Sequence, residues 1–123
     1  MAIGRRAKLL IIEIEPKPAS RPRFCGRGQV YNEPKYSAWL REFAALAKNS
    51  WEYDTLSHVS HVEILINGPS RRGDIDNHAK AILDGLVRAG VLKGDNLIVL
   101  DSISARFSHS KITDPCIIIK LFE

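Results

Sequence analysis

At 123 residues, with 45% hydrophobic and 26% charged residues, the chain has the size and balance of one compact domain over residues 1–123, which excludes a disordered protein and leaves no need for disulfides or zinc. Apolar runs such as residues 9–12 are far too short to span a bilayer, and Glu13 and Glu15 interrupt what would be the apolar stretch of a signal peptide, so a cytoplasmic protein is expected. The net charge of +4 is modest but uneven: Arg5, Arg6, Lys8, Lys17, Arg21, Arg23 and Arg27 crowd the first part of the chain, which suits a polyanionic partner as well as a solvated basic surface.

Residues 8–15, KLLIIEIE, pass from a short apolar run into alternation, with β-branched residues, and are closed by Pro16 and Pro18, as a strand would be. Residues 16–29 hold three prolines and two glycines among Lys17, Arg21, Arg23 and Arg27. Such a composition propagates neither a helix nor a central strand, so a basic loop is expected, with a short strand around Val30 and Tyr31. Asn32 offers an N-cap and Pro34 suits a first helical turn. Tyr36, Trp39, Leu40, Phe43, Leu46 and Ala47 then recur at helical spacing, which favours core packing of the aromatics over base stacking.

Residues 58–66, HVSHVEILI, alternate again and end at the turn signal Asn67-Gly68-Pro69. Ile75, Ala79, Ile82, Leu83, Leu86 and Val87 follow helical spacing, and Gly90 provides a stop. Residues 97–107 and 116–122 read as strands. No internal repeat is present. The order strand, loop, helix, strand, helix, strand, strand implies an α+β domain, a mixed sheet packed against two main helices. Cys25 and Cys116 lie far apart without a CxxC partner and are expected to be free thiols.

Asp74 and Asp76 flank Ile75 directly before the second helix. Acids there can cap the helix, worth about 0.5–2 kcal/mol, and an Asp76–Lys80–Asp84 ladder can be a plain surface feature. They can equally hold a divalent metal. Mg²⁺ prefers a few carboxylate oxygens and keeps waters, and such a site, with a lysine to meet the phosphate, serves phosphodiester hydrolysis. Asp95, in the turn after the helix, can join the pair only if the strand after it runs beside the strand ending at Ile66. His78, within the helix, is expected to be an ordinary exposed histidine, and Phe24 a packing residue at the tip of the basic loop.

The segment GDIDNHAKAILDGLVRAGVLKGDN, residues 73–96, resembles the signature of the RusA-type Holliday junction resolvases: Asp-x-Asp-Asn, a lysine four residues after the second acid, an Asp four residues later, then a glycine-containing turn with another acid. PKPASRPRF and VYNEPKYSAW resemble the N-terminal half of that family, so the likeness runs from about Glu15 to Phe107. It implies a small homodimeric α+β endonuclease that uses Mg²⁺ or Mn²⁺ to place paired symmetric cuts in four-way DNA junctions, in recombination and repair. Carried over by position, Asp74, Asp76 and Asp95 would bind the metal and Lys80 would be the catalytic lysine. Asn77 would order the helix start and Asp84 support Lys80. One departure is that Gly94 precedes Asp95 and Asn96 follows it, where the family often has two adjacent acids.

A single acidic cluster cannot cut two opposed strands, so the function requires a two-fold dimer. Each cluster repels phosphate, and Lys17, Arg21, Arg23, Arg27, Arg71 and Arg72 are the basic residues expected to bind DNA, with an affinity that falls steeply with salt. Two other readings stand beside this one. A nuclease of broader taste could cleave forks, flaps or single strands with the same site, and a basic DNA-binding protein could use the acids only as caps.

Overall fold

The computed structural model describes residues 7–19, 23–25, 29–31, 34–68, 73–108 and 114–123. The elements are β1 (Lys8–Ile12), β2 (Arg23–Cys25), β3 (Gln29–Tyr31), α1 (Pro34–Ser50), β4 (His61–Asn67), α2 (Ile75–Arg88), β5 (Ile103–Ser108) and β6 (Cys116–Phe122). Four strands form one mixed sheet in the order β1-β6-β4-β5. β6 pairs antiparallel with β1 and β4, while β4 and β5 run parallel. The parallel pair needs a crossover, and α2 is that connection. This is the expected α+β domain.

Alternation along the strands puts one side chain in two on each face. Leu10 and Ile12 of β1, Ile117, Ile119 and Leu121 of β6, and Val62, Ile64 and Ile66 of β4 are all buried on the face that α1 and α2 cover. Leu9, Ile11, Glu63, Lys120 and Arg106 lie on the other face and are exposed. The α1 stripe buries Tyr36, Trp39, Leu40, Phe43 and Ala47, so its aromatics are core residues, with Trp39 stacked on Phe43 at 5.1 Å between ring centres. α1 and α2 meet closely because Gly85 has no side chain: a Cβ there would overlap the Phe43 ring.

Two expectations change. The segment expected to be only a basic loop contains β2, which pairs with β3 as a hairpin, and Phe24 sits opposite Val30 in mid-strand and not at a tip. A two-stranded ribbon has no central position, so it tolerates the flanking prolines and glycines. The strand expected over residues 97–107 begins only at Ile103. Residues 96–100 form a turn instead, in which the Asn96 side-chain oxygen accepts the Ile98 N–H and the Asn96 carbonyl accepts those of Val99 and Leu100. A local side chain to backbone bond outcompetes the ladder there. The expectations for Asn32 and Pro69 lie outside the described residues.

Candidate functional site

β4 ends at Asn67 and α2 starts at Ile75, so the chain leaves the sheet and turns back over it with the acids at the turn. Gly73 makes that turn at φ +79°, and a Cβ on it would come within 2.8 Å of Pro18. The Ala19 N–H donates to the Asn77 carbonyl at 2.9 Å. The start of the basic segment is therefore laid along the first turn of α2. Proline serves here because its fixed φ keeps the strap extended, and Lys17 lies within this strap.

Asp74 occupies the N-cap position in an extended conformation, but its carboxylate makes no capping hydrogen bond. The capping explanation of this acid thus loses its main support. Asp76, in the first turn, accepts the Asn77 N–H at 2.9 Å and is exposed. Asp76, Lys80 and Asp95 border one groove of about 410 Å³, whose floor is Ile75, Ala79, Leu83, Ile103 and Ala105. The condition on Asp95 is met, because β5, the strand after it, lies directly beside β4. Among the described residues, however, no three His, Cys, Asp or Glu side chains come together closely enough to hold a metal ion. Asp76 and Asp95 share the groove without forming, with Asp74, a ready three-acid cluster.

Lys80 is held by Asp84, Nζ to Oδ1 at 3.4 Å, and the other oxygen of Asp84 accepts the Tyr36 hydroxyl at 2.8 Å. Burial, and then the Asp84 carboxylate beside it, push the Tyr36 hydroxyl well above its ordinary range. A buried phenol in α1 thereby anchors the acid that orients a groove lysine. The sequence gives no hint of this link, since Tyr36 and Asp84 are 48 positions apart and Tyr36 reads only as part of a core stripe.

His78 is 4% exposed, contrary to the expectation of an exposed helical histidine. It stands over the Phe107 ring at 6.3 Å between centres, on the side of α2 that faces the sheet. Arg21, Arg27, Arg71 and Arg72 lie outside the described residues, and for Arg23 only the backbone, in β2, is described. Cys116 is a free thiol. Among the described residues no helix is long and apolar enough to cross a membrane.

The groove is more apolar than a polar substrate alone requires. Ile75 and Ile103, which line it, are exposed, and outside it Leu97 and Ile98, carried on the Asn96 turn, are both 83% exposed. Two neighbouring large apolar side chains left this exposed suit a place where another surface packs.

Comparison with known proteins bears on this arrangement. A family model described as Endodeoxyribonuclease RusA matches residues 13–121. The crossover junction endodeoxyribonuclease RusA of Aquifex aeolicus (strain VF5) is 33% identical over 72 residues, covering 58% of this chain and 57% of that relative. The chain thus spans a little over half the length of the curated relative it matches.

Proposed function

The chain belongs to the RusA endodeoxyribonuclease family, and from that premise we propose that it is a divalent-metal-dependent, structure-selective endodeoxyribonuclease that resolves four-way DNA junctions by paired symmetric cuts. The observation that carries this reading is the groove in which Asp76, Lys80 and Asp95 converge beside an N-cap Asp74 that caps nothing. The donor set fits Mg²⁺ or Mn²⁺, since these are hard carboxylate oxygens on an open surface, with room for water and a substrate phosphate. Asp74, Asp76 and Asp95 would hold the ion, which when bound activates water and neutralises charge at the scissile phosphate. Lys80, kept in place by Asp84, meets the phosphate as a point charge. Lys17 on the strap, with Arg21, Arg23, Arg27, Arg71 and Arg72, offsets the repulsion between the acids and the DNA backbone.

The working unit in this reading is a homodimer. A second copy covers Leu97 and Ile98, and a two-fold axis through that face gives the two opposed sites that symmetric cutting needs. A further part of this proposal is that the acids of the two copies are shared at the interface. Mixed dimers test the idea directly. A protomer carrying Asp74→Asn paired with one carrying Asp95→Asn regains single-strand nicking if acids are shared between copies, and stays inactive if each protomer builds its own site.

The function itself is tested with an end-labelled four-way junction, a fork and a linear duplex as controls, in Mg²⁺ and in EDTA. Paired symmetric nicks on the junction are expected, lost in EDTA and lost in Asp74→Asn while binding persists. Binding without cleavage across a range of Mg²⁺ and Mn²⁺ would return the acids to a structural role.

A further inference from the structure

A second cleft, of about 500 Å³, opens where the C-terminal ends of α1 and α2 come together. Lys48, Trp51, Tyr53, Thr55, Val87 and Arg88 line it, and no acid does. Lys48 and Arg88 take part in none of the ion pairs among the described residues. Trp51 and Tyr53 meet edge to face at 5.0 Å, and the Trp51 indole N–H is committed to the Asp54 carbonyl at 3.2 Å. Two uncommitted cations beside a fixed aromatic pair match what a sugar-phosphate backbone offers, negative oxygens flanking apolar sugar faces.

The cleft is also in line with the acidic groove. Asp76, Lys80 and Leu83 border the groove, and Val87 borders the cleft. These positions share one stripe of α2, since eleven residues at 100° each return to within about 20° of the start. Eleven residues also advance about 16 Å along the axis, a reach of a few nucleotides along one DNA strand. We propose that this cleft is a second backbone contact, which grips a duplex arm of branched DNA a few nucleotides from the cut phosphate. The proposal rests on the reading of the chain as a DNA nuclease.

A bland role exists for the same cations, because each sits in the last turn of its helix, where positive charge offsets the helix dipole. That role affects stability alone. The test is therefore DNA binding by Lys48→Ala/Arg88→Ala, with wild-type protein alongside and thermal unfolding as the control for folding. The variant should bind the junction several-fold more weakly, with a salt slope smaller by about two, and should cleave at an unchanged rate once saturated. Of neutral methylphosphonates scanned over the first few positions beside the nick, one should weaken the wild type by a similar factor and the variant no further. Wild-type affinity and slope in the variant, with normal junction cleavage by the wild type, would overturn the second contact alone. Failure of the wild type to bind any branched DNA would overturn the nuclease reading and the contact with it.

Discussion

Tyr36 joins the core to the site through one hydroxyl, which donates to Asp84 while Asp84 holds Lys80. The Lys80–Asp84 pair is largely exposed, so it contributes little to stability. The Tyr36 bond lies deeper, and Tyr36→Phe should cost about 1 kcal/mol through the acceptor left without its donor. The same bond predicts a pH effect. The folded state raises the Tyr36 ionisation above its ordinary value of 10.0, so the folded protein keeps a proton that the unfolded chain releases. The contribution is complete below about pH 10 and is lost as pH rises toward the folded value. Thermal unfolding between pH 8 and 11 should therefore fall more steeply for the wild type than for Tyr36→Phe.

At the scale of elements, what places the acids is the crossover from β4 through α2 to β5, and the angle of α2 is set by its contact with α1. Gly85 against Phe43 is the closest point of that contact. Gly85→Ala would push a methyl into the ring, and overpacking of this kind costs about 1–3 kcal/mol. The prediction is a lower melting temperature and, under the proposed nuclease function, reduced cleavage as the acids are displaced. Adding Phe43→Leu should recover part of both, because the smaller side chain gives the methyl room. If Phe43→Leu destabilises Gly85→Ala as much as it does the wild type, the ring is not the obstacle.

For the whole molecule, the decisive surface is the one left uncovered. Leu97 and Ile98 project from a turn fixed by Asn96, and burying two such side chains contributes about 3–6 kcal/mol in an interface. On the proposed dimer, changing both to glutamate should yield a folded monomer in sedimentation equilibrium and abolish the proposed paired cutting while circular dichroism stays unchanged. A dimer that persists in this variant would place the two-fold contact elsewhere.

The chain by itself determined the kinds of element and the chemistry available to them. Alternation marked the buried face of β4, helical spacing marked α1 and α2, and the spaced set Asp74, Asp76, Lys80, Asp84 and Asp95 stood out as the residue types that the proposed metal and phosphate chemistry would use. Local signals were weaker where short-range bonds compete. The Asn96 turn inside an apolar run, and the β2–β3 hairpin inside a proline-rich segment, followed from such bonds and from pairing with a neighbour. Only the tertiary structure decided which residues share a surface: that His78 is buried against Phe107, that Tyr36 reaches Asp84, that Pro18 lies on Gly73, and that Lys48 and Arg88 line one cleft. Those contacts join residues far apart in sequence, and periodicity within a segment carries no information about which other segment it meets.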